Sequence, residues 1–256
     1  MNRIEQLFKE KKQNVLSIYF TAGYPLLNDT VEIIKSLDSA NVDLIEIGMP
    51  FSDPLADGPT IQEANTIALK NGMSISVLLD QLKNIRQNTQ IPILLMGYLN
   101  PIIQYGLTKF ITDIKAIGVD GIIIPDMPLD YYIAYLKNIC DKNEIVNVLL
   151  ITPSTSIKRI VEMDKNTTGF LYLVSSNGIT GNQLDTSSQL NYFNTIKSLN
   201  LNNPTMLGFG IHDKKTVQHA FNNCNGAIIG SAFIKLLQEQ GTDKATINAF
   251  IKNLLP

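Results

Sequence analysis

The chain has 256 residues, 45% of them hydrophobic and 17% charged, with 21 basic against 23 acidic residues and a net charge of −2. That balance excludes a disordered polyelectrolyte, and the longest basic run, Lys9 to Lys12, is broken by Glu10, which argues against a nucleic-acid partner. Cys140 and Cys224 lie far apart, with no CxxC pair and no histidine at ligand spacing, so buried thiols are expected rather than a disulfide or a zinc site.

Residues 1–14 are charged and amphipathic, without the apolar centre of a signal peptide, and no stretch approaches the roughly eighteen apolar residues of a membrane span. A soluble cytoplasmic protein is expected. Residues 2–11 pattern as a short helix with Ile4, Leu7 and Phe8 on one face, a spacing suited to packing across an opening such as the end of a barrel.

Short apolar runs rich in β-branched or aromatic residues then recur: Leu16 to Thr21, Val42 to Ile47, Ile93 to Met96, Gly121 to Ile124, Val146 to Ile151, Phe170 to Val174, Thr205 to Leu207 and Gly226 to Ile229. Between them lie segments of helical period, such as Val31-Ile34-Leu37, Phe110-Ile114-Ile117 and Val217-Phe221. Continuous apolar strands separated by helices imply a parallel sheet buried on both faces. With no linker or low-complexity tract dividing the chain, the expectation is a single (β/α)8 TIM barrel over residues 1–256, with a doubly wound sheet as the alternative. An extra helix is expected over Thr60 to Lys70, in the connection after the second strand, and another over residues 231–238, after the eighth.

The second strand runs into Gly48-Met49-Pro50-Phe51-Ser52-Asp53-Pro54-Leu55-Ala56-Asp57-Gly58-Pro59, a loop stiffened by prolines and loaded with acids. By the period of two, Leu44, Glu46 and Gly48 share a face. If that face points inward, Glu46 enters the barrel mouth among apolar side chains, where its pKa rises toward neutrality and it can both donate and accept a proton. If outward, it is a rim residue. Asp57 has two readings as well: a cap for the helix near Thr60, or a second carboxylate aimed back over Glu46.

Near the other end, Gly208-Phe209-Gly210-Ile211-His212 follows the seventh strand and Gly230-Ser231 follows the eighth. In a (β/α)8 barrel these two loops, with the amino end of a short helix, often cradle a phosphate. Gly210, Gly230 and Ser231 are the expected cradle, and ordinary turns are the alternative. The polar stretch Ser175 to Gln189 is expected to be a lid that supplies Thr180 or Gly181, against the plainer reading of a surface loop. His212 and His219 lack a third ligand type, so surface or capping roles are expected. Tyr19, Tyr98 and Tyr172 fall at strand ends, where they can wall an aromatic pocket.

The stretch Glu46-Ile-Gly-Met-Pro-Phe-Ser-Asp-Pro-Leu-Ala-Asp-Gly-Pro-Thr60-Ile-Gln62 resembles the signature of the tryptophan synthase α subunit family. Phe20-Thr-Ala-Gly-Tyr-Pro25, Leu95-Met-Gly-Tyr-Leu-Asn-Pro101, Ile124-Pro-Asp-Met-Pro128, Ser175-Ser-Asn-Gly-Ile-Thr-Gly181, Gly208-Phe-Gly-Ile211 and Gly230-Ser231 are similar to the same family in the same order, over nearly the whole chain. The resemblance implies a (β/α)8 barrel that cleaves indole-3-glycerol phosphate to indole and glyceraldehyde 3-phosphate, without a metal or a cofactor in this chain. A sugar-phosphate isomerase and a catalytically idle, partner-activating subunit are the competing readings.

The resemblance further implies that Glu46 is the acid–base group, that Asp57 holds the indole N–H and that Tyr172 lies beside Glu46. It makes Gly181, Gly210, Gly230 and Ser231 the phosphate binders, Tyr19, Tyr98 and Phe209 pocket walls, and Thr180 an orienting partner of Asp57. It implies a pyridoxal-phosphate β subunit in an αββα assembly, faced by loop 50–58, residues 100–105 and the lid, with Asp126 linking them. Ser176 stands where some members of the family carry a basic residue.

Overall fold

In the computed structural model, which describes residues 1–174 and 186–255, every apolar run named above becomes a strand. The order is α1 (Arg3–Glu10), β1 (Val15–Thr21), α2 (Thr30–Ser39), β2 (Leu44–Gly48), α3 (Pro59–Lys70), α4 (Ile75–Leu82), β3 (Ile93–Met96), α5 (Leu99–Tyr105), α6 (Leu107–Ala116) and β4 (Gly121–Ile123). There follow α7 (Leu129–Tyr131), running through a π-helical turn (Tyr132–Leu136) into α8 (Lys137–Asn143), then β5 (Val146–Ile151), α9 (Ile157–Asn166), β6 (Leu171–Val174) and α10 (Thr186–Ser198). The chain finishes with β7 (Thr205–Gly208), α11 (Lys214–Asn223), β8 (Gly226–Ile229), α12 (Ser231–Gln240) and α13 (Lys244–Leu254).

Each strand pairs in parallel with its sequence neighbours and β8 closes on β1, giving a closed eight-stranded barrel and ruling out the doubly wound sheet. The alternation of side chains separates two apolar layers. Val15, Tyr19, Leu44, Leu94, Val146, Tyr172 and Met206 form one cluster inside the barrel. Leu16, Ile18, Phe20, Ile45, Ile47 and Leu95, one step out of phase, join a larger cluster under the helices. Strands buried on both faces are why these runs read as continuously apolar rather than alternating.

Helix α1 closes the barrel at the amino-terminal ends of the strands, as its spacing predicts. Ile4 is fully buried, Phe8 stacks 5.9 Å from Phe170, and both belong to the interior cluster. Asn2 caps the helix, accepting from the Ile4 N–H at 2.9 Å, while its amide donates to the carbonyls of Asp120 and Glu144. Arg3 adds an ion pair to Asp120 at 3.0 Å.

The extra helices after the second and eighth strands are present as α3 and α12. The connection after β3 carries an additional helix, α5, absent from the sequence expectation. Asn100-Pro101 reads as a turn, yet Pro101 falls in the first turn of α5, where its missing N–H costs no hydrogen bond. No helix among the described residues is long and apolar enough to cross a membrane.

Candidate active site

Glu46 stands in the middle of β2, opposite Tyr19 on β1 and Leu94 on β3. Because Leu44 two positions earlier lies in the interior cluster, the shared face points inward, and the rim alternative for Glu46 is excluded. Glu46 is fully buried. Its Oε1 accepts a hydrogen bond from the Ser17 hydroxyl at 2.8 Å, and its Oε2 has no partner among the described residues. Burial pushes its pKa up to about 8, with the Ser17 hydrogen bond pulling the other way.

Asp57 is not a helix cap. The N-cap of α3 is Gly58, with Pro59 at the first helical position, and no side chain closes that turn. Proline has no N–H to satisfy there, so the demand for a capping acceptor is smaller. The Asp57 carboxylate instead turns inward, 6% exposed, and accepts from the Tyr98 hydroxyl at 3.1 Å and from the Asn65 amide at 3.4 Å. Burial raises its pKa to about 6, while Tyr98 and Asn65 oppose the rise.

The Tyr98 hydroxyl has a second task. It accepts from the Ala56 N–H at 2.9 Å while donating to Asp57, so one oxygen fixes both the backbone and the side chain of the acidic loop. Phe51 packs on the Tyr98 ring with centroids 5.2 Å apart. Within the loop, the Asp57 N–H donates to Pro54 O and Gln62 donates to Asp57 O.

Tyr19 and Tyr172 complete the interior. Burial is the main cause raising both phenols, and the charges of Glu46 and Asp57 add to it. Both carboxylates therefore bear on the same two tyrosines, which stay neutral at any physiological pH. Glycine makes room for each ring. A Cβ at Gly48 would lie 2.2 Å from the Tyr19 hydroxyl, and one at Gly208 would lie 2.0 Å from that of Tyr172. Those distances exclude any side chain unless the tyrosines move.

After β7, Phe209 and Gly210 take the left-handed backbone region, with φ of 67° and 75°. Glycine does so without penalty; for Phe209 the conformation costs roughly 1–2 kcal/mol. Its ring meets Tyr172 edge-on at 6.3 Å. Gly230 is the N-cap residue of α12 and Ser231 its first residue, and among the described residues no side chain makes a cap hydrogen bond at that helix end. Tyr19 lies below Gly230, 3.3 Å from where a Cβ would stand. His212 is exposed and its Nδ1 donates to the Gly210 carbonyl at 3.0 Å, whereas His219 packs edge-on against Phe193, so the two histidines do not share a site. Asp126 accepts from the Leu99 N–H at 2.9 Å, tying the loop after β4 to the start of α5.

The structure thus brings Glu46, Asp57, Tyr19, Tyr98, Tyr172 and Phe209 to one end of the barrel, with Gly210, Gly230 and Ser231 on the loops after β7 and β8. Thr180, Gly181 and Ser176, with most of the expected lid, lie outside the described residues. Sequence reasoning missed Ser17 and Asn65. Ser17 was findable as the polar position in an apolar strand in phase with Tyr19. Asn65, inside a helix, carried no such signal.

A closed parallel barrel whose mouth holds one carboxyl titrating near 8 and another near 6 defines an acid–base enzyme of the (β/α)8 class. A family model described as tryptophan synthase alpha chain matches residues 5–254. The chain is 52% identical to the tryptophan synthase alpha chain of Flavobacterium psychrophilum, over 99% of this chain and all of that one, and 54% identical to that of Flavobacterium johnsoniae, over 95% and 96%. The crystal structure of tryptophan synthase subunit alpha from Legionella pneumophila superposes with a TM-score of 0.89 at 30% identity, covering 99% of this chain and 97% of that one. The chain belongs to the tryptophan synthase alpha chain family, whose members are carbon–carbon lyases.

Proposed function

We propose that Glu46 and Asp57 divide the proton chemistry of a retro-aldol cleavage of indole-3-glycerol phosphate into indole and glyceraldehyde 3-phosphate. The carboxyl of Glu46 protonates C3 of the indole ring, which leaves a positive charge shared with the ring nitrogen. The Asp57 carboxylate accepts a hydrogen bond from that N–H and stabilises the charge as it develops. Glu46, now ionised, takes the proton of the hydroxyl on the side-chain carbon bonded to C3. The O–H electrons form the aldehyde, and the carbon–carbon bonding pair returns to the ring and restores the aromatic indole. Glu46 ends protonated, as it began.

The observation that carries this reading is the separation of the two titrations. Between about pH 6 and about pH 8, Asp57 is ionised while Glu46 holds its proton, the pairing the first step needs. Tyr19, Tyr98, Tyr172 and Phe209 wall the indole. The amino end of α12, which no side chain caps among the described residues, supports phosphate binding with Gly230, Ser231 and Gly210, because the N–H groups and dipole of a helix start favour an anion. Gly181 and Thr180 complete this set in the proposal.

The partner in this reading is a pyridoxal-phosphate β subunit, in an αββα assembly, that receives the indole. Loop 50–58 and residues 100–105 are its proposed contact, and both carry exposed apolar side chains, Leu55 and Ile103. The test is release of indole from indole-3-glycerol phosphate by the wild type and by Glu46→Gln, each with and without a β subunit. Turnover by wild type and none by Glu46→Gln is expected. Undiminished turnover by Glu46→Gln removes Glu46 from the chemistry, and stimulation of the β subunit without any indole release would leave a binding subunit instead.

A further inference from the structure

Ser17 is fully buried inside the barrel, on the face of β1 that also carries Val15 and Tyr19. A buried hydroxyl is unfavourable unless it is hydrogen bonded. The only hydrogen bond of the Ser17 side chain among the described residues runs to Glu46 Oε1, at 2.8 Å. The ladder aligns Tyr19 with Glu46 and Ser17 with Leu44, so Ser17 sits one pleat deeper than the carboxylate's own neighbour and reaches it from the side away from the mouth. Serine is short and mounted on a strand paired on both sides, so the donor has almost no freedom to follow a moving carboxylate.

We propose that Ser17 is a positioning residue for Glu46: its hydroxyl anchors Oε1 at the floor of the site and so assigns the exchangeable proton to Oε2, the oxygen turned to the substrate. A donor on Oε1 leaves no room for an acid proton on that same oxygen in the same direction. The neutral carboxyl therefore carries its hydrogen on Oε2, which has no partner among the described residues. After the ring is protonated, Ser17 still donates to Oε1 and the rotamer does not change. Oε2, now bare, takes the hydroxyl proton without a side-chain swing. One oxygen performs both transfers, and no proton balance beyond the retro-aldol step is needed.

The inference rests on the reading of Glu46 as the proton carrier. Tyr19 from β1 and Tyr172 from β6 lie within electrostatic reach of Glu46, and Asp57, hydrogen bonded to Tyr98, bears on the same two tyrosines. The phenols are held neutral by burial, which leaves Asp57 to set the acid limb of the pH profile and Glu46 the alkaline limb.

The test is steady-state cleavage of indole-3-glycerol phosphate by the full chain carrying Ser17→Ala, Ser17→Thr or Glu46→Gln, from pH 5 to 10, with melting temperatures alongside. Ser17→Ala is expected to lower kcat roughly tenfold or more while KM changes little. Its alkaline limb should move to higher pH, because the bond that favours ionised Glu46 is gone. Ser17→Thr, which keeps the hydroxyl, should recover the limb and most of the rate. If Ser17→Ala does not fold, Ser17→Cys, a weaker donor of similar volume, takes its place with the same expected directions. An unmoved alkaline limb, or a threonine variant no better than the alanine or cysteine variant, overturns the role of Ser17. Full turnover by Glu46→Gln would instead overturn the reading beneath it.

Discussion

The carboxyl of Glu46 is more basic in the folded chain than in an exposed peptide, and this has a thermodynamic consequence besides the proposed catalytic one. Its pKa moves from 4.5 to about 8 on folding, so above pH 4.5 the unfolded chain releases a proton that the folded chain keeps. Stability should therefore fall as pH rises through that window, with Asp57 adding a loss of the same sign between 3.8 and about 6. Glu46→Gln should melt with the wild type near pH 4 and above it at pH 8; parallel curves would contradict the buried carboxyl. Tyr98→Phe removes one hydroxyl with two partners, Ala56 N–H and Asp57. Since that bond lowers the Asp57 pKa, the acid limb of kcat/KM should shift to higher pH and turnover should drop, which a pH–rate profile reads directly.

Strand ends in this barrel are shaped as much by missing side chains as by those present. β2 ends at Gly48 and β7 at Gly208, and each vacancy is filled by a tyrosine from a neighbouring strand, Tyr19 and Tyr172. Gly208→Ala should displace the Tyr172 ring toward the substrate, cost about 1–3 kcal/mol through overpacking, and lower kcat/KM with it. Calorimetry and kinetics measured on the same variant should move together; an unchanged KM would mean that Tyr172 retreats elsewhere. The apolar runs and helical periods made these elements visible in the sequence. The pairing of a glycine on one strand with a phenol on another was not visible, because it depends on barrel closure.

At the scale of the whole molecule the two ends of the barrel do opposite work. At the amino-terminal end two buried carboxylates are held by several partners each. Asp120, 3% exposed, takes Arg3 at 3.0 Å and Arg86 at 2.6 Å and also accepts from the Ile93 N–H, joining α1 to the strands, while Asp164 accepts from the N–H groups and amides of Asn202 and Asn203. At the carboxyl-terminal end, Glu46 Oε2 has no hydrogen-bond partner among the described residues, and no cap side chain closes the amino end of α12 there. Asp120→Ala strands two arginines, one of them largely buried, and should cost about 3–5 kcal/mol of stability with little change in kcat at temperatures where the variant is folded. A matching loss of kcat would mean that the plugged end is coupled to the site.

Eight apolar strands with intervening helices, the α1 plug and the acidic loop were legible in the sequence, since these rest on periodicities of two and 3.6 and on residues close in the chain, whereas barrel and doubly wound sheet both remained open. The sequence also placed Glu46 on the same strand face as Leu44 and Gly48. It left open which way that face points, whether Asp57 caps a helix or faces the mouth, and what holds either carboxylate. Closure of the barrel decided all three, by bringing Ser17 from β1 under Glu46 and Tyr98 from the end of β3 against Asp57. The hydrogen bonds that oppose the burial-driven rise of the two carboxyls come from residues 29 and 41 positions away in the chain. No local pattern encodes such a contact; only the three-dimensional packing of strands does.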